Sequence, residues 1–187
     1  MASNVDNRGG KSTEGAIRRD NSTFAQMTID YAHHEVHAGK HFFVAQGYVM
    51  ADGTVRTVWF KTGNDGSLCH MLPAVIGNGP VVFRIVEGAS NAITPAVVPY
   101  NNRRASANVA AARWSTSTVA ATGGTALITL RLGASGSGPF AVSVGGTASA
   151  REELILKANT LYAFEVTAGD DLEANFTLEW YEHTDKA

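Results

Sequence analysis

The sequence contains a single cysteine, Cys69, so no disulfide can form within the chain and its stability must come from packing or assembly. Charged residues are also scarce, at 17% of 187 residues, whereas soluble domains typically have about 25%. No apolar run reaches the roughly 18 residues of a transmembrane helix, and the start lacks the apolar stretch of a secretory signal. We therefore expect a soluble protein that does not enter a membrane and is synthesised in the cytoplasm.

The chain also lacks the usual signatures of nucleic-acid binding and of catalysis. Its formal net charge is −2, with no basic cluster to neutralise phosphates, so we expect no nucleic-acid partner. It contains no Gly-x-Ser-x-Gly elbow, Walker loop or dinucleotide fingerprint. The adjacent Glu152 and Glu153 would point to opposite faces of a strand, which predicts a solvated turn and not a catalytic pair. We predict a protein without enzymatic activity and without a cofactor.

Short strand patterns and turn residues fill most of the chain. Apolar residues make up 44% of the sequence, which is sufficient for a core, and there are 19 glycines. Residues 81–86 alternate between two faces, with Val81, Phe83 and Ile85 on one of them. Eight or more such strands, separated by turns, predict one all-β domain over residues 24–187, a jelly-roll-like antiparallel β-sandwich.

Local patterns predict how some of these strands are joined. Asp52-Gly53 between two apolar runs indicates a hairpin turn, and residues 162–166 and 176–180 read as a second antiparallel hairpin. Residues 133–138 are rich in Gly and Ser and indicate a loop. The Ala-rich stretch 107–113 could form a short helix, and no other helical pattern is evident.

Residues 1–23 form a separate, polar region in which Val5 and Ile17 are the only large apolar side chains after Met1. Such a segment cannot bury enough surface to offset its ordering entropy, which predicts a flexible N-terminal arm. The arm is either a tail without a partner or a segment that orders on a neighbouring molecule. In the second case its basic residues would meet acidic surface; they are Arg8, Lys11, Arg18 and Arg19.

Four of the six histidines fall within residues 33–41, which raises the question of a metal site. A zincin motif requires two histidines four positions apart on a helix, with a glutamate directly after the first. Here Glu35 follows His34, but the next histidine, His37, is only three positions after His34. His33 and His37 have the spacing of four without a surrounding helical pattern. On a strand, those two side chains and Glu35 would share one face, with His34 opposite. We predict hydrogen-bonding histidines at the start of a strand or at a subunit interface, and no metal.

Two further motifs allow a structural and a functional interpretation. Residues 102–104, Asn-Arg-Arg, could clamp a carboxylate or phosphate, but a loop that forms salt bridges to a neighbouring subunit is the simpler interpretation. Cys69 lies in an apolar run and is predicted to be a small buried side chain.

Four sequence blocks together resemble a group of virion structural proteins of tailed bacteriophages. The blocks are His34–Phe42, Val86–Gly88, Tyr100–Ser106, and Ile155–Tyr162 together with Trp180–Lys186. Arg103 stands where the family pattern has Asn. The resemblance spans about residues 28–186 and implies a capsid decoration, or cement, protein of jelly-roll type.

The resemblance also implies partners and a location. They are the major capsid protein and other copies of the chain in a homotrimer, on the exterior of the virion capsid. We take twelve residues as candidate contacts with the capsid or with neighbouring subunits: Arg8, Lys11, Arg18, Arg19, His34, Glu35, His37, Asn102, Arg103, Arg104, Glu182 and His183.

An alternative is a tail- or baseplate-associated protein whose β-sandwich binds carbohydrate. In that case Trp59 or Trp114 would serve as the stacking platform. Trp59 and Trp180 lie within apolar strand patterns, however, which favours the core for both. A phage lytic enzyme is a third and more distant interpretation.

Overall fold

The computed structural model describes residues 31–133, 140–143 and 153–183. Within these ranges lie one helix and eleven strands: α1 Tyr31–Ala38, β1 His41–Met50, β2 Val55–Lys61, β3 Leu68–Gly77, β4 Val81–Glu87, β5 Tyr100–Asn101, β6 Arg113–Ser117, β7 Thr125–Leu132, β8 Phe140–Ser143, β9 Leu154–Leu156, β10 Leu161–Ala168 and β11 Leu172–His183. The predicted arm, residues 1–23, and most of the predicted loop at 133–138 lie outside the described ranges. No helix within these ranges is long and apolar enough to cross a bilayer.

The strands form two antiparallel sheets that pack face to face. Sheet I has the order β5-β1-β11-β3-β8, with β9 also paired to β3, and sheet II has the order β6-β2-β10-β4-β7. The first four strands pair with later strands in reverse order: β1 with β11, β2 with β10, β3 with β8 and β9, and β4 with β7. A long hairpin rolled up in this way is a jelly roll. The predicted all-β, jelly-roll-like sandwich is confirmed.

Alternation along the strands places the core between the two sheets. In β4, Val81, Phe83 and Ile85 are at most 3% exposed, as predicted. In β11 the buried residues again alternate with exposed or half-buried ones as far as Trp180, which packs edge-on against Phe60 of the facing sheet with ring centroids 4.9 Å apart. Edge-to-face aromatic pairs of this kind add to the gain from burial.

The two predicted hairpins are wrong. The chain does turn at Asp52-Gly53, but β1 before the turn belongs to sheet I and β2 after it belongs to sheet II. The turn at residues 169–171 likewise connects β10 of sheet II with β11 of sheet I. A turn dipeptide indicates a reversal of direction, and the same reversal can lead to an adjacent strand or across to the facing sheet.

The Ala-rich stretch 107–112 is irregular and not helical, which corrects the prediction of a short helix there. Ala110 and Ala112 are buried in the main core, at 2% and 0% exposure. Their small side chains allow the backbone to pass close to the sandwich. There the N–H groups of Ala111 and Ala112 donate to the Glu182 carboxylate, in place of the carbonyl groups that would accept from them in a helix.

The segment between β4 and β7, residues 88–124, covers one lateral edge of the sandwich. Its strand β5 pairs with β1, and its strand β6 pairs with β2. On the outward side of sheet II the same segment packs over Trp59, which is fully buried in a small second cluster with Val86 and Ala163. The segment therefore protects the strand edges on this side, since an open edge invites pairing with another chain.

Candidate interaction site

The histidine-rich segment forms helix α1, not the start of a strand. Gly39 adopts a left-handed conformation with φ of 70°, its N–H donates to Val36 O, and the N–H of Lys40 donates to Glu35 O. These two bonds define a Schellman motif, which ends a helix at a glycine. The Ala38-Gly39 pair was therefore a helix-termination signal, but eight residues are too few to show a clear helical periodicity.

The helix arranges the histidines differently from the predicted strand. His33 and His37 are exposed neighbours, with their Nε2 atoms 3.0 Å apart. Glu35 points inward and is 5% exposed, while its Oε1 lies 3.1 Å from Nδ1 of the exposed His34. The prediction that His33, Glu35 and His37 share one face is wrong, because a helix turns Glu35 away from the other two.

Side chains of residues 101–108 hold the end of α1 against the sandwich. The bonds run from Arg103 Nη1 to His37 O at 2.6 Å, from Asn108 Nδ2 to Ala38 O at 3.1 Å, and from Asn101 Nδ2 to Gly39 O at 2.8 Å. The approach is close, since a Cβ atom on Gly39 would lie 2.3 Å from Ser106 Oγ. The last carbonyls of a helix lack intrahelical partners, and here donors from a distant loop satisfy them.

The remaining residues of the Asn-Arg-Arg motif contact their own surroundings within the subunit. Asn102 Nδ2 lies 2.6 Å from His41 Nδ1, and burial lowers the pKa of His41 although Glu179 acts in the opposite direction. The guanidinium of Arg104 lies over the Tyr100 ring, 5.4 Å from its centroid. Arg103 binds a helix carbonyl, so the predicted salt bridges to a neighbouring subunit are not needed to explain its position.

Glu182 ties the end of β11 to the same corner. Its backbone N–H donates to Lys40 O, and the residue as a whole is 8% exposed. The carboxylate accepts hydrogen bonds from the N–H of Ala111 at 2.7 Å, the N–H of Ala112 at 3.1 Å and the indole N–H of Trp180 at 3.1 Å. It also lies 4.0 Å from the Cys69 sulfur.

His183 belongs to a cluster on the outward side of sheet I that the sequence did not reveal. Its Nε2 lies 2.6 Å from Nε2 of His70, and His70 Nδ1 lies 3.0 Å from Glu153 Oε2. Tyr181 donates to the same carboxylate oxygen at 2.6 Å, and its ring stacks on His70.

The Glu153 side chain is only 11% exposed, so the predicted solvated turn is wrong at this residue, while Glu152 lies outside the described ranges. The register of β3 and β11, which sets Tyr181 beside His70, could not be read from the sequence.

These groups make a densely hydrogen-bonded corner with a cleft beside it. The cleft has a volume of about 300 Å³ and is lined by Lys40, Phe42, Asp65, Ser67, Asn108, Val109, Glu182 and His183. Within the described part of the chain, no three His, Cys, Asp or Glu side chains are grouped so that they could hold a metal ion. Burial, followed by the charge of Glu182, raises the pKa of the Cys69 thiol, which keeps it protonated and unsuited to nucleophilic attack.

Comparison with known proteins gives no match to a family model, to a curated protein or to a solved structure. The chain's own geometry therefore has to support any proposal. Arg8, Lys11, Arg18 and Arg19 lie outside the described ranges, whereas the other eight candidate contact residues are all at or near the corner formed by α1, the start of β1 and the end of β11.

The segments of the four sequence blocks meet in two places in the fold. The histidine block, the Tyr100–Ser106 block and the Trp180–His183 ending meet at this corner. The Val86–Gly88 block meets the Ile155–Tyr162 part of the fourth block elsewhere: Glu87 accepts from Lys157 Nζ at 2.6 Å and from Tyr162 Oη at 2.8 Å. These hydrogen bonds, first from Lys157 and then from Tyr162, lower the pKa of Glu87. Each block therefore supplies contacts that hold distant parts of the jelly roll together.

Asn101→Ala is expected to destabilise the protein by about 2 kcal/mol, because a largely buried amide loses several hydrogen bonds. Asn101 donates to Gly39 O and Asn108 O and accepts from the N–H of Arg103. Urea unfolding measures the change. Asn102→Ala is the matched control, since the Asn102 side chain contacts His41 alone among the bonds described, and its effect should be at most about half as large. Equal effects would show that Asn101 does not hold the helix end.

Proposed function

We propose that this chain is a non-enzymatic structural protein of a tailed-phage virion, a decoration protein that binds the assembled shell of major capsid protein from outside and stabilises it. Three features support the proposal: the jelly-roll scaffold, the convergence of the blocks that resemble phage virion proteins, and the outward face of sheet I. The last of these carries the argument, because it is a surface suited to broad contact.

The outward face of sheet I carries many small side chains and is poor in charge. Across β1, β11 and β3, the outward side chains form rows such as Ala45–Thr177–Ala74 and Gly47–Asn175–Ile76. No Lys or Arg occupies an outward position of these three strands, and the exposed acidic groups there are Glu173 and Glu179.

Exposed apolar side chains extend this face. Val49 is 77% exposed, Ile76 46% and Ile155 59%. Val49 and Ile76 lie toward one end of the face and Ile155 toward the other, so the apolar contacts that they offer a partner extend along the sheet. Small and branched side chains also lose little conformational entropy when they are covered, so a broad, low-relief partner can bind without a large ordering cost. The two glutamates favour a partner surface with basic groups.

Binding of this kind requires no chemistry. A protein that binds only the assembled shell stabilises it by mass action, in proportion to its affinity and concentration. We further propose that the subunits form a homotrimer, and that residues 1–23, with Arg8, Lys11, Arg18 and Arg19, act as an arm that attaches to the shell or to a neighbouring subunit. The alternative carbohydrate platforms, Trp59 and Trp114, are 0% and 7% exposed, so neither ring is available for stacking on a sugar.

Ala45→Arg is expected to reduce binding to shells at least about tenfold, which corresponds to about 1.4 kcal/mol. The substitution places a long cation on the outward face beside Thr177 of β11, where it both prevents close contact and repels basic partner groups. Ala126→Arg, an equivalent change at an exposed position of β7 in sheet II, is the matched control and should bind normally. Occupancy is measured by electron cryo-microscopy of shells that lack this subunit, after incubation with each variant.

Two results would contradict the proposal at different levels. Normal occupancy of Ala45→Arg would show that sheet I does not face the shell. Failure of the unmodified protein to bind shells, together with its absence from purified virions, would refute the decoration function itself.

A further inference from the structure

Helix α1 brings two imidazoles into a geometry that the sequence pattern did not predict. His33 and His37 are four residues apart, both are exposed, and their rings meet edge to face with centroids 4.7 Å apart. The facing atoms are the two Nε2 nitrogens, at 3.0 Å. When each ring carries its proton on Nδ1, both Nε2 lone pairs are free to bind a third atom that lies beside the pair.

This separation matches that of two ligands of one metal ion. Imidazole nitrogens bind zinc at about 2.0–2.1 Å, and two such bonds at angles between about 90° and 109° place the nitrogens about 2.8–3.4 Å apart. A cation can therefore bind both nitrogens at their present separation, with the ring proton of each histidine on Nδ1. The same argument applies to copper and nickel, because imidazole suits all three ions.

We propose that His33 and His37 form a two-histidine site for a divalent transition-metal ion of the copper, nickel and zinc class. Two protein ligands leave the other coordination positions open to water or to a group from another molecule. The site rests on a fixed support, because Arg103 and Asn108 bind the carbonyls of His37 and Ala38 and hold this end of the helix. The Arg103 guanidinium is also a nearby positive charge, which opposes cation binding and makes the site one of modest affinity.

The proposal does not depend on the proposed function, since it needs only the helix and its two histidines. It differs from the zincin arrangement rejected above, because Glu35 points inward and cannot activate a metal-bound water beside this pair. The site is therefore one for binding an ion, not for hydrolysis.

Titration calorimetry on the full-length protein without an affinity tag tests the site, with Ni²⁺, Zn²⁺ and Mg²⁺ as separate titrants. We expect one Ni²⁺ or Zn²⁺ ion per chain and no Mg²⁺ binding, because Mg²⁺ prefers oxygen ligands. His33→Ala and His37→Ala should each weaken binding at least about tenfold, the loss that follows even from removal of groups outside the ligand shell. His34→Ala, on the same helix but outside the pair, should bind as the unmodified protein does.

Thermal unfolding of each variant without metal verifies that the fold is intact, and addition of Ni²⁺ should raise the melting temperature only where His33 and His37 are both present. The proposal is overturned if the unmodified protein binds neither ion at millimolar concentration. It is also overturned if the double variant His33→Ala/His37→Ala retains the affinity, or if His34→Ala loses as much as His37→Ala.

Discussion

Glu182→Ala is expected to lower the free energy of unfolding by about 3–5 kcal/mol, a large share of the stability of a typical domain. The substitution leaves the N–H groups of Ala111 and Ala112 and the indole N–H of Trp180 without their acceptor. These donors lie at a largely buried corner where water is a poor substitute. Urea unfolding followed by tryptophan fluorescence measures the change.

Two controls separate the carboxylate's role from a general effect of charge. Glu179→Ala removes a carboxylate from the exposed side of the same strand and should change stability by no more than about 0.5 kcal/mol. Glu182→Gln retains one acceptor oxygen and should fall between the two. If Glu182→Ala is as mild as Glu179→Ala, the buried carboxylate does not organise the corner.

Raising the pH from 8 to 11 is expected to cost about 5 kcal/mol of stability through Cys69 and Tyr162. Burial, followed by the charge of Glu182, raises the pKa of the Cys69 thiol; burial, followed by the hydrogen bond to Glu87, raises the pKa of the Tyr162 phenol. Both groups are at most 1% exposed. Above the ordinary pKa of each group, about 8.5 for a thiol and about 10 for a phenol, the unfolded chain releases a proton that the native state retains. Stability is therefore intact below that pKa and falls by about 1.4 kcal/mol per pH unit for each group above it.

Denaturant unfolding at several pH values, repeated with single variants, attributes the loss to these two groups. Cys69→Ala and Tyr162→Phe should each make the decline with pH shallower, even if they lower stability at pH 8. Tyr100→Phe, a change at a half-exposed ring, is the matched control and should leave the slope as it is. A slope that none of the buried variants alters would show that other groups govern alkaline unfolding.

The sequence predicted the features that depend on local pattern. It missed those that depend on strand register and on whether a turn crosses from one sheet to the other. Alternation identified the inward side chains of β4, and β-rich segments with frequent turns indicated the sandwich. Nothing local distinguishes a hairpin from a crossing between sheets, so the turns after β1 and β10 were misassigned. The contact between Glu182 and residues 111–112, and that between His70 and His183, join segments far apart in the chain, and only the folded register shows them.

The sequence did not predict that the candidate contact residues lie close together in the fold. Asn102, Arg103, Glu182 and the histidines lie at one corner, where their hydrogen bonds join α1, residues 101–112 and the end of β11. The helix was missed because its one clear signal, Gly39, marks an end and not a periodic pattern. A short helix is held by its tertiary contacts more than by propensity, and those contacts come from a loop some 60 residues later.

The rolled-up strand order also determines when this protein can fold. The strand β11 is the last of the described strands to be synthesised, yet it lies between β1 and β3 in sheet I, and the late strand β10 lies between β2 and β4 in sheet II. Neither sheet can close until these two strands have been synthesised, because each sheet lacks a central strand without them. Folding is therefore slow, as for other chains dominated by non-local pairing. Until β11 docks, the edges of β1 and β3 stay open to other nascent chains, and this interval is when the protein is most prone to aggregate.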